Sequence, residues 1–236
     1  MLSLIFDLPF LLLKLIPYLI LDTYRLITTK DRKVHLYGIH GYVGLYGQGK
    51  TIALTQYAYN LRQKYGDKIY IASNYYLSFQ DFPIEHWKQL LDTYDKPVVF
   101  LYDEIQNDFN SRLYKDFPMV LVYMLTQNRK GNGKQICFSA QEFTAVDKNF
   151  RDLCMSVNVC HTYFGRLTTV HRFSKRDYEE YANTVSSDKR MKVRSRNIWR
   201  FIQTDYIRGC YDSFKVLENA RLRKYMSREE LARLNL

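Results

Sequence analysis

A chain of 236 residues, 47% of them apolar, is long enough for one compact α/β domain with extensions or a small appendage. Its formal net charge of +11 points to an acidic partner (nucleic acid, anionic lipid or nucleotide) without choosing among them, and a merely solvated basic surface is the plain alternative. The four cysteines, Cys137, Cys154, Cys160 and Cys210, form no C-x-x-C pair and meet no histidine cluster at zinc spacing. That pattern excludes a zinc module and predicts small buried thiols in a reducing compartment, with no structural disulfide and no metal beyond Mg²⁺.

The chain opens with an apolar run, Leu2 to Leu21, interrupted by Asp7, Pro9, Lys14 and Pro17. A spanning helix needs about 20 mostly apolar residues, and a central lysine is costly in lipid. The run lacks the basic leader and small-residue cleavage site of a signal peptide. Three readings stay open: a poor transmembrane helix, an interfacial anchor, or a helix buried against a partner. The basic residues Arg25, Lys30, Arg32 and Lys33 would keep the rest of the chain on the cytoplasmic side of a membrane. Residues 1–27 are thus expected to be a membrane-associated segment, with a polar linker after it at 28–33.

Residues 34–47 read as a short β-rich stretch ending in glycines. Lys50 to about Tyr65 has apolar residues at helical spacing and stops at Gly66, a natural C-cap. A short strand is predicted over 68–74, a helix with Pro83 in its first turn over 82–94, and a strand buried on both faces over 96–104. Residues 117–130 suit helix or strand, with length and a polar end favouring helix; 134–142 is another core strand. Residues 157–174 alternate like two edge strands with a turn near Gly165. Strands alternating with helices predict an α/β fold with a mainly parallel central sheet flanked by helices, over residues 34–180. Beyond it, 181–236 reads as a basic linker and closing helices. The stretch 186–200 carries six basic residues and one acid and is expected to be flexible. Residues 211–236 are expected to be helical, with Ser227 and Glu230 as a capping box.

Three sites carry chemistry. "GLYGQGKT", Gly44 to Thr51, fits G-x-x-x-x-G-K-[ST] with a strand before it and a helix after it. In such a loop the glycines let backbone N–H groups face phosphate oxygens, the lysine supplies a point charge, the Thr hydroxyl ligates Mg²⁺, and the helix start adds its positive dipole end. The nucleotide-binding stretch is therefore Gly44, Leu45, Tyr46, Gly47, Gln48, Gly49, Lys50, Thr51 and Ile52. "VVFLYDE" is a hydrophobic strand ending in two acids, the Walker B pattern; Asp103 would hold the metal and Glu104 would polarise the attacking water. "QICFSAQE" places Gln141 at the end of a core strand, where open α/β sheets bind ligands, as a γ-phosphate sensor. Arg129 and Arg151 are candidates for an extra transition-state cation, in their own site or a neighbour's, against the alternative of ordinary surface arginines. Trp199, Arg194 and Arg196 are candidates for stacking and phosphate contacts with nucleic acid.

Taken together, "GLYGQGKT", "YIASNYYL", "VVFLYDEIQNDFNSR", "NRKGNGKQICFSAQEF" and "VDKNFRDLC" resemble the zonula occludens toxin (Zot)-like family, the filamentous-phage assembly ATPases within the HerA–FtsK group of P-loop motors. The resemblance covers roughly residues 34–174; its telling features are the "SN" after the second strand, the "DE-x-Q" and the strand-end glutamine. It implies ATP and Mg²⁺ as cofactors, with Gly44, Gly47, Gly49, Lys50, Thr51, Asp103 and Glu104 at the ATP site and Gln141 as sensor. It also implies a homo-oligomer, a hexameric ring being one form, working at the host cytoplasmic membrane on phage single-stranded DNA with assembly or coat proteins. The family usually carries its membrane segment after the ATPase domain, whereas here the apolar segment comes first. That leaves a DNA-packaging or conjugation-type translocase open, with a P-loop small-molecule kinase or a nucleotide-gated scaffold behind it.

Overall fold

A computed structural model of the chain describes residues 2–28, 34–107, 109, 119–127, 132–184 and 193–212. The chain divides into two units, Met1–Lys33 and Val34–Leu236. The first is a single helix, α1 (Leu2–Thr28), which runs through Pro9 and Pro17. Its side chains at Leu13, Ile16, Leu19, Ile20 and Ile27 are exposed. Among the described residues no helix is long and apolar enough to cross a membrane.

The second unit is built on a sheet. Its described strands are β1 (Gly38–Val43), β2 (Tyr70–Ser73), β4 (Phe82–Pro83), β5 (Val98–Tyr102), β6 (Lys134–Ala140), β7 (Cys154–Tyr163), β8 (Leu167–Ser174) and β9 (Asn197–Ile202). Their order is β4-β2-β5-β6-β1-β7-β8-β9. Pairing is parallel from β4 through to β7 and antiparallel for β7–β8 and β8–β9. A second, two-stranded sheet joins β3 (Tyr76–Leu77) to β10 (Tyr211–Asp212).

The sheet is buried on both sides because successive side chains of each strand feed opposite cores. On β5, Val99 and Leu101 pack with α2 (Lys50–Tyr65), which contributes Ala53, Leu54, Ala58 and Leu61. Phe100 and Tyr102 pack on the other side with Phe138, Phe109 and Phe150. That second side is covered by α4 (Lys148–Asp152), by Leu125 of α3 (Met119–Thr126) and by Tyr178 and Tyr181 of α5 (Lys175–Asn183). The four cysteines are free and buried. Burial pushes the thiols of Cys137 and Cys154 well up and that of Cys160 to about 12, so they act as small hydrophobes.

The mainly parallel, two-faced sheet matches the alternation of apolar runs, and α2 ends at Gly66 as its sequence predicts. Four local readings are corrected. The helix predicted for 82–94 is instead the edge strand β4 followed by a 3₁₀ turn, Trp87–Leu90, capped by His86. A helix over that stretch would hold its ends about 18 Å apart, but the rings of Phe82 and Tyr94 stack at 5.5 Å. Pro83 is tolerated because β4 is, among the described residues, an edge strand with no further neighbour to supply. β7 and β8 form the expected hairpin, turning through Phe164 (φ 51) and Gly165 (φ 68), but neither is an edge: β1 flanks one and β9 the other. β9 comes from the stretch expected to be flexible. Its alternation places Trp199 and Phe201 on the α2 side, stacked at 5.1 Å, which outweighs the basic composition around them. The chain then makes α6 (Asp205–Gly209), buries Ile207 and Cys210, and continues as β10, so Tyr211 and Asp212 are strand rather than helix. The remaining closing helices, with Ser227 and Glu230, lie outside the described residues.

Phe100 is fully buried at the middle of β5. Phe100→Ala should cost about 3–5 kcal/mol of stability, read from the urea midpoint with the slope unchanged.

Candidate functional site

The glycine loop joins the carboxyl end of β1 to the start of α2. Gly47 (φ 73) and Gly49 (φ 81) both take backbone conformations that side chains rarely adopt. At Gly49 space is also lacking: a Cβ there would lie 2.5 Å from Thr162 Oγ1 and 3.2 Å from Thr168 Oγ1. The loop therefore rests directly on the β7–β8 hairpin, and Gln48 braces it by accepting a hydrogen bond from the Thr162 N–H at 3.2 Å. No side chain caps the start of α2, so its first N–H groups face the loop free of a side-chain acceptor. Leu45 and Tyr46 are exposed at the loop tip, while Ile52 is buried and offers the site only its backbone.

Lys50 is only 6% exposed. Its Nζ donates to the Leu45 carbonyl at 3.3 Å, lies 5.8 Å from the Tyr46 ring centroid and stands 4.0 Å from Glu104 Oε1. Thr51 Oγ1 donates to Asp103 Oδ1 at 2.9 Å. The Lys50 and Thr51 side chains thus meet the two acids that end β5, across a sheet in which β6 separates β1 from β5.

β6 is more than a spacer. Its Ser139 hydroxyl donates to Asp103 Oδ1 at 2.5 Å and accepts from the Glu104 N–H at 2.8 Å. From β2's end, Asn74 accepts from the Asp103 N–H at 2.7 Å and donates to the Asp103 carbonyl at 3.0 Å. Asp103 is thereby fixed at backbone and side chain. Burial holds its carboxyl above the usual carboxylate range; the hydrogen bonds from Ser139 and Thr51 oppose that rise, nearby Glu104 adds to it and Lys50 opposes it. A carboxylate and a hydroxyl in contact, with backbone N–H groups and a lysine beside them, fit a hydrated Mg²⁺ on a polyphosphate.

Glu104 has φ 50, a left-handed conformation uncommon for a residue with a side chain. Gln106 Nε2 donates to Glu104 Oε2, and Gln106 Oε1 is buried with no hydrogen-bond partner among the described residues. The base candidate is therefore gripped at one oxygen and faces Lys50 with the other. Gln141 follows β6 directly, half-buried, at the carboxyl end between β1 and β5 where its predicted role requires it. Arg151 is engaged locally: its Nε–H donates to the Val146 carbonyl at 2.9 Å and its guanidinium lies 5.9 Å from the Phe143 ring centroid. Arg129 lies outside the described residues. Trp199, Arg194 and Arg196 do not form one patch. Trp199 faces the α2 side with Phe201, Arg194 lines a groove with His161 and His171 on the other side, and Arg196 stands 3.5 Å from Asp177.

Ser139, Asn74 and Gln106 were not assigned roles from sequence. "SN" and "DE-x-Q" stand out as patterns, yet their partners lie on other strands. Ser139 is one hydroxyl within an apolar run.

No known protein family matches the chain, and no curated protein does. Among solved structures, the chain is similar to the N-terminal domain of zonular occludens toxin from Neisseria meningitidis, at 16% identity and a TM-score of 0.49, covering 75% of this chain and 100% of that one. It is also similar to the genome-packaging NTPase B204 from Sulfolobus turreted icosahedral virus 2 in complex with ATP-gammaS, at 13% identity and a TM-score of 0.42, covering 71% of this chain and 97% of that one. A third is the Pif1 helicase from Candida albicans, at 14% identity and a TM-score of 0.36, covering 66% of this chain and 42% of that one.

Because the folded Asp103 carboxyl titrates above its unfolded value of about 3.9, folding favours its protonated form. That stabilisation is complete below the unfolded value and is lost as pH rises through the raised folded value. Asp103→Asn should remove this pH dependence and leave the nucleotide-free protein at least as stable at neutral pH, while abolishing magnesium-dependent nucleotide binding. Urea unfolding across a pH series, with nucleotide titrations with and without magnesium, checks both halves.

Proposed function

We propose that this chain is an ATP hydrolase whose turnover drives DNA translocation or virion assembly at a membrane. The observation that carries the hydrolase reading is the 2.9 Å contact between the Thr51 hydroxyl and the Asp103 carboxylate, with Lys50 and Glu104 facing each other at 4.0 Å beside it. Thr51 and Asp103 would hold Mg²⁺, which when bound neutralises phosphate charge and orients the phosphates. Lys50, now donating to the Leu45 carbonyl, would turn to the β- and γ-phosphate oxygens. Glu104 would then lose its facing cation and accept the proton of an attacking water at Oε1. Gln106, bonded to the other oxygen, orients that carboxylate. Gln141 is read as the sensor between the two strands. The adjacent acids Asp103 and Glu104, beside Thr51 and Lys50, favour hydrolysis over transfer to a small molecule.

The DNA part of the reading is supported by the net charge of +11 and by the resemblance of the sequence to phage assembly ATPases. The membrane part is supported by α1, whose exposed leucines and isoleucines suit an interfacial anchor that keeps the ATPase on the cytoplasmic side of the host membrane. The same reading takes the working form as a homo-oligomer, a ring in which each chain's DNA contacts add to its neighbour's, with coat or assembly proteins as partners.

Lys50→Ala should abolish nucleotide binding or turnover. Glu104→Gln should retain ATP binding and lower kcat by about 10²–10⁴-fold, and Gln106→Ala should lower kcat by less than that with KM unchanged. Phosphate release by detergent-solubilised protein, with and without single- and double-stranded DNA, is the measurement. Normal turnover in Glu104→Gln would refute its role as base, and turnover indifferent to either DNA would refute the nucleic-acid motor.

A further inference from the structure

A cavity of about 280 Å³ lies between α2 and the β1, β7, β8 and β9 strands, away from the glycine loop; Tyr57, Asn60, Asn158, Arg172 and Trp199 line it. None of Lys50, Thr51, Asp103, Glu104 or Gln141 does. Its size, close to the lower limit of about 300 Å³ for small-molecule sites, suits one planar heterocycle with a substituent rather than a long ligand.

Four properties of its wall select a ligand. The first is charge. No carboxylate lines the cavity among the described residues, and Arg172 pairs with none of them. The Arg172 guanidinium is steered by a neutral acceptor instead: Nη2 lies 3.4 Å from His40 Nδ1, which also meets Ser156 Oγ at 2.8 Å. Burial, followed by the charge of Arg172, lowers the His40 pKa to about 4, so that ring carries no compensating or competing charge at neutral pH. The exposed guanidinium at the rim is therefore free for an anion. The second is an aromatic face: the Trp199 indole, backed by Phe201 at 5.1 Å with 20° between planes. The third is an unused acceptor. Asn158 spends its Nδ2 on the Gly41 carbonyl at 3.0 Å, which leaves Oδ1. The fourth is an unused donor. Asn60 Oδ1 accepts from Gln56 at 2.9 Å, which leaves its Nδ2. A π-face, one donor, one acceptor and an anion are what a base with its phosphate presents.

We infer that this cavity is a second nucleotide site, taking one unpaired nucleoside monophosphate unit with its base against Trp199 and its phosphate on Arg172. The unit comes either from a free mononucleotide or from a residue of a single strand; in the second case the site supplies the DNA contact that the proposed motor needs. Hydrolysis at the glycine loop is not required for it.

The chain has two tryptophans. Trp87→Phe in the full-length protein makes Trp199 the sole indole reporter, and Lys50→Ala silences the loop site, so a failed ATPase reading and a failed second site give separate signals. The probes are thymidine monophosphate, a short oligothymidylate and inorganic phosphate. Saturable quenching of Trp199 by a thymidylate is expected, weakened about tenfold or more by Arg172→Ala, partly restored by Arg172→Lys, and weakened by the surface variant Asn60→Leu with an unchanged thermal melt. Much tighter binding of the oligomer assigns the strand as the source, and comparable binding of the two assigns the free nucleotide. Absence of quenching by both, or quenching that Arg172→Ala leaves unchanged, overturns the inference.

Discussion

A buried carboxylate needs donors, and Asp103 has two, while a third residue holds its backbone. Thr51 reaches it from the start of α2, Ser139 from β6, and Asn74 grips its backbone from the end of β2. Burial alone would push the group towards protonation, and the hydrogen bonds from Ser139 and Thr51 each offset part of that desolvation penalty. The same contacts hold four segments in register: the glycine loop with its helix, and the ends of β2, β5 and β6. The site and the middle of the sheet are therefore mutually dependent. Loosening one donor lets the others drift, and a hydrated cation of strict geometry would be the first ligand to suffer.

The strand order explains why this convergence is possible. β6 lies between β1 and β5, so the loop and the acidic strand end are two strands apart, about 10 Å, and α2 must bridge the gap. It does so because small residues, Ala53 and Ala58, let it sit close on the sheet. Lys50 and Thr51 then project from its first turn over β6 towards β5. Glu104 is held less comfortably, with a left-handed backbone and a carboxylate shared between Gln106 and Lys50. Backbone strain of that kind persists where surrounding contacts over-determine it, and here Ser139 ties down the Glu104 N–H.

The antiparallel half of the sheet plays two parts. The β7–β8 hairpin is the floor on which the loop rests, through Thr162, Thr168 and Gln48. β9 then extends that half far enough to enclose a polar cavity beneath α2. Its lining combines a neutral histidine, an aromatic plane and, at the rim, an arginine with no carboxylate partner among the described residues.

The linear pattern was enough for the parts whose chemistry is local. Glycines at 47 and 49, a lysine and threonine opening a helix, and two acids closing an apolar strand are each defined by neighbours in the chain, because loop conformation and helix start are short-range effects. The buried parallel sheet was legible too, since strands such as Val98–Tyr102 must be apolar at every position. What only the tertiary structure decided are relations between distant residues. Ser139 and Asn74 become part of the site only when β6 and β2 flank β5. The segment 82–94 gives up its helical pattern because Phe82 and Pro83 pair with the edge of β2 and Ile84 and Leu90 enter the core beside it. The stretch from Asn197 to Ile202 becomes a strand because β8 offers it an edge to pair with, and backbone groups beside such an edge must be satisfied. Local sequence sets what each segment can do, and the pairing and packing of distant segments select among those options.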